Sequence, residues 1–314
     1  MKTNIFKTAL LGLTFGAVLL SSCKKDEDKT TPTPITPAAK SIYEIAKADT
    51  TFTILVAALD KTGLKETLSN AGTYTVFAPN NTAFRKEGVS VEFINAITDP
   101  DLILEIKNAL LYHVLGLKVK STEVPNAYVG TLYLVNGNGV SLRTANNPVK
   151  LNNEANVVVA DIAASNGIIH VIDAPLNPQT VVDIAVNNPA FTSLVGALEK
   201  AELVNTLEDA PALTVFAPTN DAFSAINFKL EDFTKEQLTP ILTSHVLGTQ
   251  VRSSQIKNGN KATTLNTNTE LTFNTTTGVK FNGGSVTDIT VTTADIQATN
   301  GVVHVINKVV LPLR

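Results

Sequence analysis

The chain has four histidines, His113, His170, His245 and His304. They are its only side chains whose ordinary titration range suits proton transfer or metal ligation near neutral pH. They fall at two equivalent positions of an internal repeat, which raises the question of an acid–base or metal centre built twice. A zinc or catalytic centre needs further ligands or a base at fixed spacing, and neither His-Glu-x-x-His nor a Cys/His cluster occurs. The single cysteine, Cys23, excludes an intramolecular disulfide and any cysteine-based zinc site. Neither a Gly-x-Ser-x-Gly elbow, nor a P-loop, nor a Gly-x-Gly-x-x-Gly fingerprint is present. His170 and His304 lie in alternating apolar runs and read as core histidines hydrogen-bonded within a strand. The expectation is a chain without catalytic residues, metal or cofactor.

The elements that hold these residues recur as a set. TVFAPNNTAF at Thr75 returns as TVFAPTNDAF at Thr214. Phe52–Leu59 returns at Phe191–Leu198, Leu110–Gly116 at Leu242–Gly248, and Asn166–Ile172 at Asn300–Ile306. Four blocks in the same order describe two homologous domains, far longer than solenoid repeats. The boundary falls near Asn177-Pro178-Gln179, giving domains at 41–178 and 179–314 that should touch.

Within a unit, residues 53–68 have helical apolar spacing. Thr75-Val76-Phe77 reads as a buried strand stopped by Pro79. Asn80 and Asn81, and in the second copy Asn220 and Asp221, read as helix caps ahead of Phe84 and Phe223. A second amphipathic helix covers 102–114, after Pro100. The period then changes to two: 131–135 and 140–142 flank Asn136-Gly137-Asn138-Gly139, a hairpin signal. Val157–Val159 and Ile168–Ile172 are further buried strands. In the second unit Leu271-Thr272-Phe273 and Val279-Lys280-Phe281 flank a Thr-rich turn. Helices first and strands second predict an α+β fold. Ile162 and Ile296 should point inward, with Asp161 and Asp295 capping or ending their strands.

On these blocks the chain resembles the fasciclin (FAS1) family, twice over. The first family signature is carried by Thr75, Phe77, Pro79, Asn81 and Phe84, and by Thr214, Phe216, Pro218, Asn220 and Phe223. The second is carried by Asn166, Gly167 and His170, and by Asn300, Gly301 and His304. Tyr112-His113 matches the central Tyr-His element, whereas the second copy has Ser244 before His245. The resemblance implies two tandem domains, each a twisted β-wedge or sandwich packed with several helices. It also implies a role in adhesion and matrix contact. In animal members an Asp-Ile pair, preceded by Pro or Lys, is implicated in integrin recognition. Asp161-Ile162 and Asp295-Ile296 occupy that place, preceded here by Ala160 and Ala294.

The remaining segments concern location and partners. Residues 1–22 have Lys2 and Lys7 and then an apolar run from Ala9 to Leu20, the length of a secretory signal. Leu20-Ser21-Ser22-Cys23 resembles a bacterial lipobox, with Cys23 as the acylated residue; several acyl chains give stable anchoring. Lys24-Lys25-Asp26-Glu27-Asp28 resembles a signal by which some Gram-negative bacteria export lipoproteins to the cell surface. The Pro/Thr-rich stretch completing 23–40 reads as a semi-rigid tether. A net charge of -3 with 17% charged residues makes no case for nucleic acid. The absence of Trp weakens a carbohydrate site built on an indole platform. Together these features point to an outer-membrane lipoprotein facing the exterior, or alternatively the periplasm. It would be a non-catalytic adhesion protein with a protein or glycan ligand. The alternative is a ligand-capturing lipoprotein of an uptake system, with a pocket between the domains. Variable loops 117–130 and 249–263 are the expected binding segments.

Overall fold

Each copy of the repeated decapeptide forms an interior strand of a seven-stranded sheet. This is the organising feature of the computed structural model, which describes residues 39–313. The secretory segment, Cys23 and nearly all of the tether lie outside the described residues. In the first domain the strands are β1 (Tyr74–Pro79), β2 (Val114–Leu115), β3 (Ala127–Val135), β4 (Asn138–Ala145), β5 (Lys150–Leu151), β6 (Ala155–Ala164) and β7 (Gly167–Ile172). Their order is β2-β1-β7-β6-β5-β4-β3. The second domain repeats this with β8 (Leu213–Pro218), β9 (Val246–Leu247), β10 (Lys261–Thr263), β11 (Glu270–Asn274), β12 (Lys280–Gly283), β13 (Val286–Gln297) and β14 (Gly301–Ile306). There the order is β10-β11-β12-β13-β14-β8-β9, the same topology. Only β1 with β7, and β8 with β14, run parallel; the other named pairs are antiparallel. Several helices cover one face of each sheet, so the fold is α+β.

The parallel pair explains why two short segments are almost wholly apolar. Strands covered on both faces read as continuous hydrophobic runs. On β1, Val76 and Ala78 join the core beneath the helices, with Ile169 and Val171 of β7. Phe77 and Ile172 point the other way, into a second core closed by Tyr112, Leu142 and Leu151. The second domain divides likewise: Val215, Ala217, Val303 and Val305 pack under helices, while Phe216 and Ile306 meet Phe273 and Phe281.

Three local features differ from the sequence pattern. The helix over 53–68 is two helices, Thr53–Thr62 and Lys65–Ser69, broken at Gly63, whose φ of +72° makes it a left-handed cap. The next long helix starts two residues earlier than its apolar spacing suggests, at Pro100, and ends at Tyr112 so that Val114 can enter β2. The Asn136-Gly137 turn, with φ of +51° and +76°, joins β3 to β4 by a two-residue loop.

Candidate functional site

The recurring blocks of the repeat converge on one loop in each domain. Thr75 on β1 donates its hydroxyl to the Leu117 carbonyl (2.7 Å) and accepts from the Val119 N–H (2.8 Å). On β7, His170 accepts at Nδ1 from the Asp161 N–H (3.2 Å), so its proton resides on Nε2, which donates to the Val119 carbonyl (2.9 Å). Asp161 completes the clamp by accepting from the Ser121 N–H (2.9 Å) and the Ser121 hydroxyl. Those Ser121 bonds hold the Asp161 carboxyl below its usual range. The second domain repeats every contact. Thr214 binds Thr249 and Val251, His304 lies between the Asp295 N–H and the Val251 carbonyl, and Asp295 accepts from Ser253. Burial pushes His304 down; it also opposes ionisation of Asp295, but the Ser253 hydrogen bonds outweigh it and that carboxyl is lowered as well. Phe77 stacks on His170 at 5.6 Å and Phe216 on His304 at 5.4 Å.

Asp161 and Asp295 therefore do not end their strands. Each sits at a bulge inside a long strand, at φ of +63° and +62°, and its carboxylate reaches across to cap a short 3-10 turn. Ile296 is buried and Ile162 half-buried against the helical core.

His113 and His245 fasten the chain downstream of each β7-type strand. Nδ1 of His113 donates to the Ala109 carbonyl (2.7 Å), and Nε2 accepts from the Leu176 N–H (2.9 Å). His245 does the same with Ile241 and Val310, both at 2.8 Å. Burial pushes both rings down to about 4. The void of about 20 Å³ beside His113 is lined by apolar side chains and one threonine, with no carboxylate. All eight ring nitrogens of the four histidines thus have backbone partners. Among the described residues no three His, Cys, Asp or Glu side chains form a group suited to a metal.

The other motif residues also bond over long range. Asn166 accepts from the Ile42 N–H and donates to the Leu68 and Asn70 carbonyls; Asn300 accepts from Val181 and donates to Leu207, Glu208 and Ala210. A Cβ on Gly167 would stand 2.2 Å from the Tyr74 carbonyl oxygen, and one on Gly301 2.5 Å from that of Leu213. The capping assignment changes. Asn80 and Thr219 cap the following helices, whereas Asn81 and Asn220 reach back to the N–H groups of Ile54 and Ser193 and cap the preceding ones. Asp221 lies inside its helix. Tyr112 donates to the Ser141 carbonyl and accepts from Asn152; Ser244 instead bonds Pro240 and Thr269. Pro79 and Pro218 end their strands, and Phe84 and Phe223 are core.

Beyond the anchored loops, the two domains meet. The buried Gln297 N–H donates to Ser141 Oγ (2.9 Å), Asn136 to Gln250 (2.8 Å), Asn188 to the Tyr128 hydroxyl (3.0 Å), and Asn187 to Glu154 (2.7 Å). Tyr128 packs against the second domain's core, and burial raises its hydroxyl. Beside this contact lies a cleft of about 700 Å³, bordered by Tyr128, Arg143, Asn188, Arg252 and Asp295. It takes residues from both expected loops. Sequence reasoning missed Ser121 and Ser253, although each stands at the same distance from its histidine, His113 or His245. Tyr128 and Arg252 fall within the expected loops but were not singled out there, and Arg143 and Gln297, which lie outside those loops, were missed.

A family model described as Fasciclin domain matches residues 50–178 and again 189–312. Protein sll1483 of Synechocystis is 40% identical over 139 residues, 43% of this chain and 74% of that protein. Transforming growth factor-beta-induced protein ig-h3 of Sus scrofa is 27% identical over 79% of this chain, and periostin of Homo sapiens 26% over 81%. The chain spans only 36% and 30% of those two proteins. A solved FAS1 domain pair from the insect cell adhesion molecule Fasciclin I aligns with 81% of the chain at 18% identity and a TM-score of 0.46. With its two family matches covering most of its length, the chain belongs to the fasciclin domain family.

Proposed function

We propose that this protein is a lipid-anchored, surface-displayed interaction protein that binds a protein or glycan partner and performs no catalysis. The observation that carries the reading is the engagement of the motif side chains. Histidines and aspartates that could act on a substrate instead bond the backbone of loops and strand ends, which makes them scaffold. Fasciclin domains are typically adhesion or interaction modules, which supports the same view. Acylation at Cys23 would attach the chain to the outer membrane, and residues 24–40 would space domains at 41–178 and 179–314 from it. An Asp-Ile contact with a partner is not favoured, since both carboxylates already serve Ser121 and Ser253.

Protease added to intact cells should remove both domains, and Cys23→Ala should move the protein from the membrane pellet to the soluble fraction. Full protection on intact cells would place the domains in the periplasm, and an unchanged pellet fraction would sink the anchor. Binding is read separately, on arrays of cell, matrix and polysaccharide preparations. The interdomain cleft favours a second reading, capture of a ligand for an uptake system. Co-purification of an outer-membrane transporter in stoichiometric amount would support it over adhesion.

A further inference from the structure

The cleft between the domains carries groups that the loop-anchoring network does not use. Its volume of about 700 Å³ falls in the range of ligand sites. Its charge runs against that of the chain, which is -3 overall and contains four arginines. Two of the four, Arg143 and Arg252, line this cleft, and the only carboxylate lining it is that of Asp295. Asp295 is committed to the Ser253 N–H (2.8 Å) and hydroxyl. Arg252 gives one N–H to Gln297 (2.8 Å), and its Nε stands 4.0 Å from Asp295. Arg143 is different. Among the described residues its half-buried guanidinium has no acceptor and no ion pair, and it lies opposite Tyr128 across the β3–β4 ladder. The Tyr128 hydroxyl accepts from Asn188, so its own proton remains available for donation.

A half-buried guanidinium without a partner is poorly solvated, and its planar fork fits a carboxylate in bidentate fashion. The large apolar residues at the border, Phe191 and Ile296, are each only 1% exposed, so no open aromatic or aliphatic pocket waits for a peptide anchor. The accessible lining is shallow and mixed: small apolar residues, Ala127, Ala190 and Ala294, alternate with the amide and hydroxyls of Asn126, Thr292 and Thr293. The walls are also tied to each other, because Gln250 links Asn136 of the first domain to Gln297 of the second. We infer that this cleft binds a carboxylate-bearing oligosaccharide segment, with Arg143 as the main carboxylate ligand and Arg252 and Tyr128 as further donors. The inference rests on the reading that the protein works by binding, and is independent of its anchor and orientation.

The test uses the full chain in detergent and three probes in calorimetric titration: a uronic acid tetrasaccharide, its carboxyl-reduced neutral form, and tetraglutamate. The uronate should bind, and more weakly as salt is raised. The neutral form should bind about tenfold more weakly or worse, as expected for loss of charge-assisted bonds. Arg143→Gln should cost about tenfold in affinity for the uronate with unchanged thermal unfolding, and Arg143→Lys should fall between. No uronate binding, equal binding of the neutral sugar, or an Arg143→Gln variant of full affinity overturns the proposal. So does tetraglutamate binding as tightly as uronate, which would make the ligand an acidic peptide. If Arg143→Gln still binds the cell or matrix preparation as the parent does, the interaction reading survives and the cleft assignment does not.

Discussion

At the scale of single residues, His113 and His245 make the fold sensitive to acid. In each, Nε2 accepts a buried N–H, so the folded state requires a neutral ring, and burial lowers the folded pKa from 6.5 to about 4. Above pH 6.5 both folded and unfolded chains hold the rings neutral and the full stability is present. Between 6.5 and 4 the unfolded chain takes up protons that the folded one refuses, so stability falls as pH falls. The slope is about 1.4 kcal/mol per pH unit for each ring, hence about 2 kcal/mol each by pH 5. Denaturant unfolding at pH 7, 6 and 5 should show this decline, and a His113→Gln/His245→Gln variant should show a much shallower one. A profile flat from 7 to 5 in the parent would refute the account. The importance of these residues was legible in the repeat, but their partners were not. Leu176 lies 63 residues from His113, and Asn166 bonds Leu68 across 98. Local rules also misassigned Asn81, because capping rules look only a few residues ahead while its target helix precedes it.

At the scale of elements, the bulge at Asp161 joins strand curvature to loop position. The extra residue turns the carboxylate out of β6, and the two Ser121 bonds hold the Ser121–Glu123 turn against the sheet. Asp161→Gly removes the carboxylate and relieves the left-handed backbone of side-chain strain, against some gain in unfolded-chain entropy. Asp161→Ala removes the carboxylate and adds a left-handed penalty of about 1 kcal/mol. Amide exchange over 119–124 should accelerate in both variants, and Asp161→Ala should also lose about 1 kcal/mol more global stability than Asp161→Gly. Unchanged exchange over that segment in Asp161→Gly would show that Thr75 and His170 suffice to hold it. Periodicity revealed the helix-then-strand order and the Asn136-Gly137 hairpin, since both signals are contained within a few residues. It did not reveal the parallel pairing of β1 with β7, because alternation states which side chains face inward and says nothing about the neighbouring strand. Nor did it show the break at Gly63, where apolar spacing continues across the cap.

At the scale of the whole described chain, the contact between domains is polar and specific. Ser141 is held from below by Tyr112, which bonds its carbonyl, and presents its hydroxyl to the buried N–H of Gln297. Tyr128 adds apolar contact by packing on the second domain's core. The Tyr112 position is filled by Ser244 in the second copy, and only the first copy's β3 and β4 dock against a neighbouring domain. The departure from the repeat therefore coincides with the asymmetry that a tandem pair imposes. Removing the hydroxyl leaves a buried N–H without an acceptor, a cost of about 1–3 kcal/mol borne only by the docked state. The parent should unfold calorimetrically as one transition, with agreement between calorimetric and van't Hoff enthalpies. Ser141→Ala combined with Tyr128→Ala should lower docking until two transitions separate, each carrying about half the enthalpy. Ser141→Ala alone, which keeps Arg143, Arg252 and Tyr128 in place, should also lose uronate affinity in proportion to its loss of docking, because the cleft exists only while the two walls are held together. Two resolved transitions in the parent would mean that this contact does not couple the domains, and a single one in the double variant would mean that something other than this contact does.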